Sequence, residues 1–248
     1  MEWQAPAVVL DARPHGESGA LVTLLTEAHG RHAGLAKGGA SRAQAPVWQP
    51  GNLVEARWVA RLAEQLGAVS AEMVHPAAAL AMEDPLALAV LRAATAVADA
   101  ALPEREPHPR LFHGLVGIVA RLADSAAAAL PELVRWEAEL LADLGYGLDL
   151  TRCAVTGTAE DLAFVSPRSG RAVSAGAAGE WRDRLLPLPT FLLGQGPSEP
   201  ADWLAGLRLT GHFLARDVFG STHRGMPQPR EALVDRVAAL VAPPAEMG

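Results

Sequence analysis

The chain has 248 residues, half of them hydrophobic and a fifth charged, with a net charge of −7. That length suffices for one large domain or two ordinary ones with separate cores, and the acidic total excludes a protein that is basic throughout. Apolar runs such as Ala126–Leu130 are too short to span a bilayer, no signal-peptide pattern opens the chain, and one cysteine fits a reducing cytoplasm.

Residues 7–75 read as short strands with turn punctuation. AVVLDAR is closed by PHGESG; ALVTLLTE, AHG and RHAGLAKG follow; after a loop over Gly38–Gly51 come NLVEARWVAR and EQLGAVSAEMV. Five short strands with Gly and Pro turns predict a small closed or partly open β-barrel, of which the OB-fold is the commonest five-stranded case. Within this stretch VARLAEQL also reads as a helical turn.

Of the 21 Lys and Arg residues only Lys37 is a lysine, and it stands beside Gly38 and Gly39. A nucleotide-binding P-loop needs G-x-x-x-x-G-K-[ST] running into a helix. Here the lysine precedes the glycines, and Pro46 blocks a nearby helix, so a P-loop is excluded. Between His29 and Arg61 the cations Arg31, Lys37, Arg42, Arg57 and Arg61 stand against one acid, Glu55. Such a local excess attracts a polyanion, and it is equally the pattern of an ordinary solvated face.

From about Pro76 the period changes. Asp84 is placed as a helix N-cap with Pro85 at the first helical position, and Leu86, Val90, Ala94, Val97 and Ala98 line one face. HPRLFHGLVGIVARLADSAAAAL is a second helix. PELVRWEAELLADLGYG is a third, opened by Pro131, striped by Leu133, Trp136, Leu140 and Leu144 and stopped by Gly145. Trp203, Leu207, Leu214 and Val218 mark another, and REALVDRVAAL a last one. The stretch Thr151–Gly196 has no helical period.

Catalytic signals are absent. Cys153 has no Cys–His signature around it and reads as a buried structural thiol. There is no H-E-x-x-H, HGESGA and PRSGRA both miss G-x-S-x-G, and His29/His32 lack the partners of a tetrahedral zinc site. The segment RCAVTGTAEDLAFVSPRSGRAVSAGAAG has the layout of a zinc ribbon with its cysteines nearly all replaced. Cys153 would be the first ligand and Thr156 the second, with Ser174 and Ala177 at the other pair. One thiolate cannot hold zinc, so the expectation is a metal-free loop packed by Leu162, Phe164 and Val173.

GESGALVTLLTEAHGRHAGLAKGGASRAQAPVWQPGNLVEARW, followed by a helical domain with a degenerate ribbon, resembles the RecO family of bacterial recombination mediators. LAFVSPRSGRAV…LLPLP is similar to its zinc-free form. The resemblance covers essentially the whole chain, most strongly residues 13–61 and 150–192. It implies a multidomain β-then-α architecture: an N-terminal OB-fold over 1–78, then an α-helical domain over 79–248 with the ribbon-like insertion at 150–195. It implies no enzyme and no cofactor, and a cytoplasmic, nucleoid-associated protein. Its partners would be single- and double-stranded DNA, which it anneals, RecR, the C-terminal tail of single-strand DNA-binding protein, and RecA indirectly.

An OB-fold holds nucleic acid on one barrel face and the adjoining loops. The DNA-binding set is therefore Arg31, Lys37, Arg42, Arg57 and Arg61, with Gly38 and Gly39 admitting a phosphate chain. Trp48 and Trp58 are stacking candidates, Trp58 also reading as core. An acidic, apolar-ended tail needs an apolar pocket with a cation at its rim. Leu207, Arg208, Phe213, Leu214 and Arg216 are the candidates for it, against the alternative of core with surface arginines. The competing function is a protein–protein adaptor that does not bind DNA.

Overall fold

Five strands, four of them alternating between buried and open positions, close a barrel at the N-terminus. The computed structural model describes residues 1–62, 65–196 and 198–242, the side chain of Thr222 excepted. The backbone divides into two compact units, 1–129 and 130–248.

In the first unit the strands are β1 (Glu2–His15), β2 (Gly19–Thr26), β3 (Gly30–Ala36), β4 (Leu53–Val59) and β5 (Gly67–His75). They close in the order β1-β2-β3-β5-β4. Only β3 and β5 run parallel, through the pairs Gly34–Gly67, Leu35–Ala68 and Ala36–Val69; this is an OB-fold. Val22, Leu24, Ala36, Val54, Ala56 and Val69 point inward, around Trp58 and, from the β3–β4 loop, Trp48. A Cβ on Gly67 would lie 2.2 Å from the Trp58 ring, so the closing strand must carry glycine where the indole lies. Of VARLAEQL, Val59 ends β4 and the rest leads to β5; residues 63 and 64 lie outside the described residues.

Three helices share this unit: α1 (Ala77–Ala81), α2 (Pro85–Ala101) and α3 (Pro109–Leu122). The Asp84 carboxylate accepts from Leu86 N at 2.8 Å with Pro85 in the first turn, satisfying a donor that the helix start leaves open. Val90, Ala94, Val97 and Ala98 are buried as their stripe predicts. Asn52 is buried and fully used: its amide donates to the Pro46 and Val47 carbonyls, and its oxygen accepts from Ala78 N at 3.0 Å. That side chain fastens the β3–β4 loop to the start of α1.

α4 (Ala126–Asp143) starts earlier than its sequence suggests, with Pro131 inside it. The Ser125 hydroxyl accepts from Ala128 N at 3.1 Å, a start signal, and α3 has already ended at Leu122. The preceding helix therefore does not run through the alanines, and Pro131 does not open the next one.

In the second unit, Thr151–Gly196 holds a small sheet of order β7-β6-β8, made of β6 (Leu162–Val165), β7 (Ala172–Ser174) and β8 (Leu186–Pro187). α5 (Ala175–Ala178) and the 3₁₀ turns Gly179–Arg184 and Thr190–Leu193 complete it. α6 (Pro200–Phe213) runs into a π-turn over Leu214–Phe219, and α7 (Gln228–Val241) follows.

One polar cluster lies inside this unit. Arg230 of α7 donates to both carboxylate oxygens of Glu137 on α4 and to the Leu207 carbonyl, while the Thr210 hydroxyl donates to the same carboxylate. Arg230 and Glu137 have essentially no exposed side chain. Removing one member of a buried pair strands the other charge. Arg230→Met should therefore destabilise this unit by about 3–5 kcal/mol, read as a lower urea midpoint. Adding Glu137→Leu should recover much of that loss.

Candidate nucleic-acid interface

Strand register places cations in a row on the outside of the barrel. Arg57 of β4 pairs with Gln4 of β1 on one side and Ser70 of β5 on the other. Ala36 of β3 pairs with Val69, so Lys37, one residue on, stands beside Ser70. Gln4, Arg57, Ser70 and Lys37 are all exposed. Neighbouring strands are about 4.8 Å apart, which separates the Arg57 and Lys37 backbones by roughly 10 Å with Ser70 between. Arg61, also exposed, lies in the bend two residues past the end of β4. Arg57 is bridged to Glu2 at 2.6 Å, both ends half-exposed. Two pairs further along, Glu55 faces Glu72, so a carboxylate row flanks the cationic one.

Arg42 is exposed on the loop after β3. The loop is folded back: Ala40 N donates to the Ser18 carbonyl and Ser41 N to the Gly38 carbonyl. Its two glycines do different work. Gly38 takes φ +71° with open space around it, whereas Gly39 is buried and a Cβ there would meet Ala36 and Ala20 within 3 Å. Gly39 therefore packs on the barrel and leaves only Gly38 to meet a ligand.

Arg31 is placed differently from the other four. Its Nε donates to Asp99 at 2.9 Å and its Nη1 to Glu104 at 3.3 Å, with the side chain mostly covered. The structure thus brings Lys37 and Arg57 onto one wall and Arg42 onto the adjoining loop, leaves Arg61 exposed in the bend past β4, and turns Arg31 toward α2.

Neither sequence candidate for stacking is available. Trp48 and Trp58 are 3% and 2% exposed, and the Trp58 indole donates to the Ala33 carbonyl at 3.1 Å. Trp58 belongs to a ring cluster in which Trp3 stacks on His29 at 4.7 Å and His32 meets Trp58 edge-on at 4.8 Å. Burial pulls both imidazoles below their usual range, disfavouring their charged forms. The tryptophan that is exposed is Trp181, at 55%. It is not among the stacking candidates named from the sequence, although its setting in Glu-Trp-Arg-Asp-Arg, with charges on both sides and no apolar period, is a local signal of exposure.

Of the residues considered for an acidic tail, Leu207, Phe213 and Leu214 are fully buried. Arg208 is exposed. Arg216 is held by Asp217 at 2.7 Å, donates to the Pro167 and Arg168 carbonyls, and lies over the Phe213 ring. The five do not line an open apolar pocket together.

Among the described residues no group of three His, Cys, Asp or Glu side chains could hold a metal ion, and no helix is long and apolar enough to cross a membrane. Cys153 is buried, and its sulfur accepts from Ser174 N at 3.3 Å, the Ser174 hydroxyl at 3.4 Å and Thr156 N at 3.5 Å. Two of the three positions that a ribbon layout gives to the missing ligands thus donate hydrogen bonds to the one remaining sulfur.

Fold and site together define an OB-fold protein with a helical second unit and exposed cations on the barrel wall. Residues 1–77 match the family model for the recombination protein O N terminal, and residues 82–225 that for the recombination protein O C terminal. The chain belongs to the RecO family, which places it in DNA repair and recombination. It is 57% identical over 242 residues to the DNA repair protein RecO of Granulibacter bethesdensis, covering 97% of each chain. It is 58% identical to that of Gluconacetobacter diazotrophicus, over 97% of this chain and 96% of the relative. To that of Acidiphilium cryptum it is 58% identical, over 96% of each.

The Cys153 knuckle has a pH signature. Burial pushes its thiol up, but hydrogen bonds from Ser174 and Thr156 outweigh that and bring it down to about 6. An unfolded thiol titrates near 8.5, so between these values the unfolded chain binds the extra proton and stability rises with pH. The contribution is complete above the unfolded value and lost as pH falls through about 6. Unfolding of the wild type and of Cys153→Ala, measured from pH 5.5 to 9, should show a stability gap that widens with pH. Thiolate absorbance should titrate over the same range and vanish in the variant.

Proposed function

We propose that this protein is a recombination mediator that binds single- and double-stranded DNA without sequence specificity, anneals complementary strands and works with RecR in loading RecA. The observation that carries the reading is the row of exposed groups across β4, β5 and the end of β3: Arg57, Ser70 and Lys37, extended by Arg61 and Arg42. Strand ends and a loop present guanidinium and ammonium groups at backbone spacing, which suits phosphates. The sequence carries no recognition-helix signature or base-reading constellation, so contacts go to the backbone and position the strand without reading it.

Lys37, Arg42 and Arg61 carry the contact, and Arg57 joins by exchanging Glu2 for phosphate. An exposed pair of this kind is worth about 1 kcal/mol or less, so the exchange costs little. Arg31 acts as a structural tie to Asp99 and Glu104. The tail of single-strand DNA-binding protein is a further partner. Arg208 is exposed on α6, whereas Arg216 is tied to Asp217 and to the Pro167 and Arg168 carbonyls, so Arg208 is the residue through which that contact is tested.

The adaptor reading keeps one observation in its favour, the Glu55–Glu72 row on the same wall. A salt titration separates the two. Each phosphate neutralised on a single strand contributes about −0.7 to the slope of log K against log salt. Lys37→Ala with Arg42→Ala should weaken every oligonucleotide sequence alike and flatten the slope by about 1.4, with little change in melting temperature. Arg31→Ala should do the reverse, lowering stability while keeping the slope. Salt-insensitive or absent binding by the wild type would establish the adaptor.

A further inference from the structure

The second unit contains a cavity of about 380 Å³ beside its small sheet. Its walls include Val155, Pro167, Val173 and Trp181, and among the described residues lining it the charged ones are Arg168 and Arg184. Trp181 and Val155 are 55% and 70% exposed, so an open apolar surface has been left where burial would be worth about 25 cal/mol per Å². The Arg184 guanidinium lies over the Trp181 ring, 5.3 Å from its centroid, which holds both planar groups at the cavity together.

We propose that this cavity takes an unpaired nucleobase, stacked against Trp181, with Arg184 and Arg168 meeting the adjoining phosphates. The second unit then makes a single-strand contact of its own; the inference rests on the DNA-binding reading above and adds a site to it. The chemistry is that of sequence-tolerant single-strand binding, an aromatic face for any base beside cations for the backbone. The volume suits a base with its sugar, since small-molecule pockets begin near 300 Å³. With both charged lining residues cationic and no carboxylate among them, the occupant must bring negative charge together with a flat apolar surface, and a nucleotide brings both. A duplex keeps its bases stacked inside, so it cannot use this site.

The barrel row and the cavity therefore differ in selectivity. Phosphates alone engage Lys37 and Arg42, in one strand or two, whereas Trp181 engages only a strand whose bases are free. This gives the protein a physical means of preferring unpaired DNA over duplex, which the barrel cations do not supply.

The test uses the full chain with a labelled dT oligonucleotide and a hairpin duplex of equal length closed by a non-nucleotide linker, so that it offers no unpaired base, measured by fluorescence anisotropy. Trp181→Ala should weaken the dT complex about fivefold to a hundredfold, as loss of one stacked base does, and leave the hairpin complex unchanged. Trp181→Phe should keep most of the affinity, and dT should quench wild-type tryptophan emission more than that of Trp181→Ala. The outcome that overturns the site is single-strand affinity unchanged in Trp181→Ala while Lys37→Ala with Arg42→Ala loses binding; the barrel reading then stands alone. Equal losses on dT and hairpin would also overturn it. Quenching of Trp181 by an acidic peptide, with single-strand affinity unchanged in Trp181→Ala, would assign the cavity to a protein. A wild type that binds neither oligonucleotide would overturn both readings at once.

Discussion

The Trp58 indole lies against Gly67 and Gly34, and closure of the barrel depends on that contact. A large ring in the interior needs strands without side chains at its edges, and those two glycines are also the first of the parallel β3–β5 pairs. Without them β5 would be held at a distance, and the sheet would stay open between β3 and β5. With them, Ala36 comes level with Val69 and Trp58, and the next residues outward on each strand are Lys37, Ser70 and Arg57. The cationic row on the surface is thus a consequence of how an aromatic side chain is accommodated inside. Asn52 secures the other end of the same arrangement, holding the long loop that returns the chain from β3 to β4.

Hydrogen bonds do in the second unit what a metal or a larger core does in other small folds. Around Cys153, two backbone N–H groups and one hydroxyl converge on a sulfur, a substitute for tetrahedral coordination that needs only one thiol. Around Glu137, a guanidinium and a hydroxyl satisfy both carboxylate oxygens. The two differ in what they demand. A buried ion pair offers little net stability over a hydrophobic pair but penalises any loss of one partner, so it makes α4, α6 and α7 interdependent. The sulfur cluster spreads its stabilisation over three donors, each worth about 1.5–3 kcal/mol toward a charged acceptor, so the loss of one leaves the others in place.

Local features were legible in the sequence and non-local ones were not. The strands follow from period-two burial, visible in LVEARWV, and the start of α2 from Asp84–Pro85, because these signals lie within a few residues. The RecO resemblance was carried by such stretches taken as a set. Parallel pairing of β3 with β5 has no local signal, so the placement of Lys37 and Arg57 on either side of Ser70 could not be read, only their shared excess of charge. Arg31 looked like its neighbours until Asp99 and Glu104, some seventy residues on, were brought against it. Trp48 sits in a polar, Gly- and Pro-rich loop, the usual setting of an exposed ring, yet the folded-back loop carries it into the core. Trp181 is its converse, and Arg230, on an ordinary polar-looking helix, is buried only because Glu137 waits for it.

Net charge sets how such a chain engages DNA at all. A total of −7 opposes long-range attraction, and Glu55 and Glu72 lie two residues along their strands from Arg57 and Ser70. Two residues along a strand are about 7 Å, inside the Debye length of about 8 Å at physiological salt, so the carboxylates offset the cations for anything approaching from a distance. The offset weakens at contact, where a phosphate meets Lys37 or Arg57 directly and the acids stand one row away. The barrel wall is therefore a short-range surface with modest steering, on which affinity accumulates only through several simultaneous contacts. A protein limited in this way gains most from a contact whose strength does not depend on charge, and an exposed aromatic face is the kind of group that supplies one.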